Sequence, residues 1–197
     1  MMQKIVLASN NQGKLRELHQ MLLPLGLDVC SQSEFGVKEV EEPYFTFVEN
    51  ALIKARHAAK ATGLPALADD SGICVRALGG APGVLSARYA GEPKSDQRNN
   101  EHLIEMLRPY ADKSAYYYCV LVYLRHANDS EPLIAQGRWQ GEIIDHPIGE
   151  GGFGYDPYFW LPDQKKTAAE LSDTQKHAVS HRGQALRMLV KELHDFY

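Results

Sequence analysis

Residues 4–9, KIVLAS, form a short continuous apolar run of the kind that builds a buried strand, and a helical pattern follows at once. Leu15, Leu18 and Leu22 recur at helical spacing until Pro24 and Gly26 stop them, and Leu27–Ser31 returns as a second strand. A strand–helix–strand opening commits the chain to mixed α and β structure. It also places the polar segment Ser9-Asn10-Asn11-Gln12-Gly13-Lys14 between a strand and a helix N-terminus. Backbone N–H groups there, beside a Lys ammonium, make an anion site. The segment is close to the phosphate loop G-x-x-x-x-G-K-[ST] without being one: Ala8 stands at the first Gly, and Leu15 where the metal-binding hydroxyl belongs. Any magnesium ion accompanying phosphates must therefore be held by carboxylates elsewhere.

The pattern continues in the same style. Thr46-Phe-Val-Glu49 has capping-box spacing and opens a long helix with Phe47, Ala51, Leu52, Ala55 and Ala59 on one face, ended by Gly63-Leu-Pro65. Ala66–Ala68 reads as a strand that leaves the core at Asp69-Asp70-Ser71-Gly72, either as a turn or to hold something charged. A helix is expected over Gln97–Leu107, strands over Ala115–His126 and Pro132–Ile144, and a last amphipathic helix over Arg182–Leu193.

With 197 residues, 44% of them hydrophobic, the chain suffices for one large domain or one domain of two lobes. A net charge of −4 gives no general attraction for nucleic acid, and no apolar run approaches the roughly 20 residues of a membrane span. Cys30, Cys74 and Cys119 lack any CxxC pairing and sit among apolar neighbours, as reduced core residues in a cytoplasmic protein do.

Three further segments carry candidate chemistry. Asp69 and Asp70 are adjacent, so an extended chain points them to opposite faces; Glu41 and Glu42 form a second acidic pair before Pro43. Magnesium favours one or two such carboxylates together with phosphate oxygens and water. Gly151-Gly-Phe-Gly-Tyr-Asp156 allows close approach of backbone to a ligand, and Phe153 or Tyr155 could stack on a planar base. Ser180 is a candidate N-cap that puts His181 and Arg182 in the first turn of the last helix, an end that cations avoid unless an acceptor is bound. His177 and His181 are four apart, a weak pointer to zinc without a supporting Glu or Cys.

Taken in order, SNNQGK, FVENALIKARHAA, LADDSG, GGAPGVLSARYAG, GGFGYDPYF and SHRGQAL resemble the dITP/XTP pyrophosphatase family, related to inosine triphosphate pyrophosphatases. The resemblance spans almost the whole chain. It implies an elongated α/β fold of two lobes over residues 1–197, built around a mixed, bent β-sheet with flanking helices and a central active-site cleft. It implies Mg2+-dependent hydrolysis of dITP, ITP or XTP to monophosphate and pyrophosphate by a homodimer acting on free nucleotides. On this sequence, Ser9, Asn10, Asn11, Gln12, Gly13 and Lys14 would hold the triphosphate. Asp70 would activate water and bind metal with Glu42, Glu41 being the near alternative. Ser71, Phe153, Gly154, Tyr155, Asp156, Lys176, His181 and Arg182 would contact substrate. A nucleotide sensor without hydrolysis, and a pyrophosphatase of modified pyrimidine triphosphates, are the rival readings.

Overall fold

The computed structural model describes residues 3–196, with side chains to residue 193. β1 (Gln3–Leu7) lies inside a seven-stranded sheet of order β2-β1-β3-β4-β5-β6-β7. It pairs in parallel with β2 (Leu27–Ser31), Ile5 opposite Val29, and with β3 (Ala66–Val75), Leu7 opposite Leu67. Ile5, Val6 and Leu7 are wholly buried, which is why this strand reads as an unbroken apolar run. Parallel neighbours need crossovers, and two helices supply them: α1 (Gln12–Leu22) and α2 (Phe47–Thr62). Thr46 caps α2 by accepting the Glu49 N–H, and Gly63 ends it in the left-handed conformation at φ 69°. Its buried face is Asn50, Ala51, Ala55, Ala58 and Ala59, whereas Phe47 and Leu52 are half-buried.

β3 departs from expectation. The segment Asp69-Asp70-Ser71-Gly72 is no turn; the strand runs through it to Val75. Gly72 explains how. A Cβ there would lie 2.4 Å from the Gly83 carbonyl oxygen and 2.5 Å from Ser86 Oγ, so only glycine lets these segments meet. Ser86 Oγ accepts the Ile73 N–H at 2.9 Å on the same edge.

The chain forms two compact units, one holding the chain up to Asp70, Val120–Ala135 and the chain from Leu186, the other Ser71–Cys119 and Gln136–Ala185. The second unit has its own core of Ile73, Leu103, Tyr117, Trp139, Tyr155 and Phe159 among others. β4 (Ser114–Leu124) and β5 (Leu133–Ile143) are hydrogen-bonded neighbours, and β5 alternates buried and exposed residues from Ala135 to Gln140. β6 (Phe159–Leu161) and β7 (Lys166–Thr167) add short antiparallel strands beyond it. α3 (Asp96–Leu107) is capped by Ser95, α4 (Asp173–Val179) by Ser172, and α5 (His181–Phe196) follows directly. All three cysteines are free; Cys74 and Cys119 are buried as expected, but Cys30, on the edge strand β2, is half-buried. Among the described residues no helix is long and apolar enough to cross a membrane.

Candidate active site

In the first unit the β1–α1 turn is built around Asn11, whose Oδ1 accepts the Lys14 N–H at 3.0 Å and caps α1. Ser9 Oγ accepts the Asn11 N–H at 3.1 Å, so two side chains shape the turn from within. Asn10, Asn11 and Gln12 are exposed, Ser9 and Gly13 half-buried. Lys14 reaches from the start of α1 to β3, its Nζ 2.5 Å from Asp69 Oδ1.

The adjacent carboxylates of β3 take different partners. Asp69 holds Lys14; Asp70 accepts from Lys54 Nζ at 2.8 Å. Lys54 also lies 2.9 Å from Glu42 Oε1 and donates to the Asp69 carbonyl oxygen at 3.0 Å. One ammonium thus bridges the two carboxylates expected to bind metal, while Glu41 is exposed. Burial raises the Asp70 carboxyl above its ordinary pKa, against the pull of Lys54 and with the help of Glu42. Burial lowers Lys54, but Asp70 and Glu42 more than offset it, so its ammonium is held above the usual lysine range. Asp70 Oδ2 is buried and accepts no hydrogen bond among the described residues.

Lys54 escapes a reading by residue type because a helical lysine is normally a solvated one. The signal lies in its position: it falls one turn after Asn50 and Ala51 and one before Ala58, on the face that α2 buries.

In the second unit the glycine-rich segment folds back on Asp156. Asp156 Oδ2 accepts the Phe153 N–H at 2.9 Å and the Lys176 ammonium at 2.6 Å, and Oδ1 accepts the Tyr117 hydroxyl at 3.1 Å. Gly152, at φ 74°, passes so close to this carboxylate that a Cβ would sit 2.1 Å from Oδ2. Asp96 Oδ2 accepts the Gly154 N–H at 2.8 Å, and Asn100 Nδ2 donates to the Gly154 oxygen at 2.9 Å. Phe153 is left 41% exposed, with Lys176 Nζ 4.9 Å and the Arg182 guanidinium carbon 6.0 Å from its ring centre. Tyr155 behaves differently: it is buried in the core and its hydroxyl donates to the Ser86 oxygen at 2.8 Å, so of the two only Phe153 has an exposed ring. Its phenol is pushed up beyond the usual range by burial.

Ser180 caps α5 as expected, its Oγ accepting the Gly183 N–H at 3.1 Å. It also ends α4, so His177 and His181 stand on different helices, and the premise of a shared zinc-binding face fails. Among the described residues no three metal-ligating side chains gather. His181 stacks on Tyr117 with ring centres 4.7 Å apart, and Arg182 Nη2 donates to Ser71 Oγ at 3.2 Å. Gly137 on β5 makes room for this helix start: a Cβ there would lie 1.9 Å from the His181 oxygen.

The sequence profile of the Ham1 family matches residues 5–192. The dITP/XTP pyrophosphatase of Nitrosomonas europaea is 64% identical over 98% of this chain and 95% of its own length. That of Shigella flexneri is 56% identical over 98% of each. Among solved structures, a HAM1 protein from Coxiella burnetii superposes with a TM-score of 0.92 at 50% identity, covering 98% of this chain and 100% of its own. The Staphylococcus aureus Ham1 protein gives 0.88 at 43%, covering 99% and 100%. Sequence and fold agree over nearly the whole chain: it belongs to the Ham1 family.

Proposed function

We propose that the protein hydrolyses non-standard purine nucleoside triphosphates, dITP, ITP and XTP or dXTP, to the monophosphate and pyrophosphate. Such an activity clears deaminated purines from the pool before they enter DNA or RNA. The observation that carries the reading is Asp70: a buried carboxylate with one oxygen on Lys54 and the other, Oδ2, without a donor among the described residues. An unpaired buried carboxylate oxygen is costly, which supports a role toward water or a cation.

The donor set fits Mg2+, a hard ion that takes one or two carboxylates, and Asp70 with Glu42 would hold it. When bound, the ion supplies charge neutralisation on the phosphate oxygens. The chain supplies the rest. Asp70 Oδ2 accepts the proton of the water that attacks the α-phosphorus. The bond from that phosphorus to the α,β-bridging oxygen breaks, and pyrophosphate leaves with the electron pair. Lys14 and the free N–H groups at the start of α1, with the polar side chains of Ser9, Asn10, Asn11 and Gln12, hold the phosphate charge.

For the nucleoside, exposed Phe153 is the stacking face, and Ser71, Lys176, His181 and Arg182 are the polar contacts, with Asp156 fixing the Lys176 ammonium. Hypoxanthine and xanthine carry a 6-keto acceptor that suits cationic donors. Adenine presents an amino donor there and leaves each such group unpaired at about 1–3 kcal/mol. We place the enzyme in the cytoplasm as a homodimer, without nucleic acid or membrane partners.

A panel of triphosphates with product analysis, run with and without Mg2+, tests the proposal. Monophosphate and pyrophosphate should form from dITP, ITP and XTP far faster than from dATP, and only with the ion. Orthophosphate as first product, equal rates for dATP, or a modified pyrimidine as best substrate would refute it.

A further inference from the structure

Lys54 does something that a phosphate-binding lysine need not do. Its ammonium is within 2.8 Å of Asp70 Oδ1 and 2.9 Å of Glu42 Oε1, and its side chain is only 11% exposed. It sits in an α-helix whose neighbouring face is packed by Ala51, Ala55 and Ala58, so the stem is directed at β3 by packing. Asp70 itself is 9% exposed at the side chain, with Oδ2 unpartnered among the described residues. A buried carboxylate and a half-buried one, side by side without a cation, would repel one another and resist ionisation.

From this geometry we infer that Lys54 is an exchangeable counter-ion: its ammonium holds the Asp70–Glu42 pair in the nucleotide-free protein, and a divalent cation must displace it to bind there. The inference rests on the proposed metal site and adds a property to it. Asp70, Glu42 and Lys54 share one small volume with the Lys14–Asp69 pair beside them, both ammoniums reaching the Asp69 carbonyl oxygen. A divalent ion bridging Asp70 and Glu42 comes within a few ångströms of the ammonium already held by Asp70 Oδ1 and Glu42 Oε1, and like charges at that spacing repel. Lys54 must swing off the pair, and α2 carries it on a flexible four-carbon stem that permits the movement. The cost of that displacement weakens divalent-ion binding in the absence of nucleotide. In return Asp70 Oδ1 and Glu42 Oε1 keep a counter-ion until the divalent ion arrives.

The test uses the full chain and Mn2+ alone as probe, with binding followed by electron paramagnetic resonance and by thermal shift. Lys54→Met keeps the length and apolar stem but removes the competing charge. Its Mn2+ affinity should rise by at least about tenfold over the parent, because the ion then meets two carboxylates that have lost the ammonium they share, with only Lys14 on neighbouring Asp69 left nearby. Its melting temperature should start lower and recover more on adding Mn2+ than the parent's rises. Lys54→Gln, which retains a hydrogen-bond donor, should move in the same direction and serves if the methionine variant does not fold without the ion. Binding that is unchanged or weaker in these variants, but lost in Asp70→Asn, would overturn the exchange and leave the metal site standing. No Mn2+ binding to parent or variants would overturn both.

Discussion

The Asp156–Lys176 pair offers the sharpest quantitative test of how the second unit is held. Asp156 is 2% exposed and Lys176 7%, and their 2.6 Å contact is shared with the Phe153 N–H and the Tyr117 hydroxyl. Asp156→Asn keeps the shape but removes the charge, leaving a buried ammonium without its counter-ion. Breaking a buried pair from one side costs about 3–5 kcal/mol. At roughly 2–4 °C per kcal/mol for a chain of this size, the melting temperature should fall by about 6–20 °C. Lys176→Met leaves the carboxylate stranded and should cost a comparable amount. The double variant removes both charges together, so its loss should be less than half the sum of the two single losses. Thermal and urea denaturation followed by circular dichroism read all four proteins. Additive single losses, or a fall below about 2 °C in Asp156→Asn, would refute the claim that this ion pair anchors the glycine-rich segment.

Gly137→Ala drives a methyl group into the His181 oxygen, 1.9 Å from an ideal Cβ, and should cost at least about 1–3 kcal/mol while raising KM for dITP through a displaced Arg182. Unaltered stability would show that α5 can retreat. Phe153→Ala should raise KM for dITP, whereas Tyr155→Phe should cost about 1 kcal/mol of stability, for its lost bond to Ser86, and leave KM alone; the reverse pattern would exchange their roles. Asp70→Asn should lower kcat by about 10²–10⁴ with nucleotide binding retained. In the metal-free protein burial raises this carboxyl above the ordinary Asp value. The same raised pKa means the folded state binds that proton more tightly, so stability from this group grows as pH falls through the folded value. Lys54, also raised, contributes stability below its unfolded pKa of about 10.5 that is lost as pH climbs through the higher folded one. Denaturation at pH 5 and pH 11 would expose an opposite trend.

Local signals predicted the elements that local physics fixes. The Thr46 cap and the Gly63 stop depend on residues within a few positions and lie where the pattern put them; the apolar run of residues 4–9 also marked β1, though the strand starts at Gln3 and ends at Leu7. The Asp69–Gly72 segment left a turn and a holder of charge both open because turn chemistry is local, whereas its extended form depends on Gly83 and Ser86, far along the chain. β6 and β7 are too short to carry a period, and α4, with Lys176 its only buried residue, has almost no apolar face. At the candidate site, Lys14, Asp70, Glu42 and Phe153 stood out by residue type and neighbours. Lys54 did not: it lies within the FVENALIKARHAA segment, but its partners follow from burial against β3 rather than from its residue type. Tyr155 shows the converse: a conspicuous aromatic beside a glycine-rich loop that serves the core.

Ser180 closes one helix with its backbone and opens the next with its hydroxyl. A single residue therefore sets the rotation between the helix bearing Lys176 and the helix bearing Arg182. Inserting or deleting one residue there would turn the start of α5 by about 100°, a step of the helix itself, and carry Arg182 off Ser71. The spacing from Lys176 to Arg182 is thus a fixed interval of the molecule, and changes of chain length in relatives are expected to fall elsewhere.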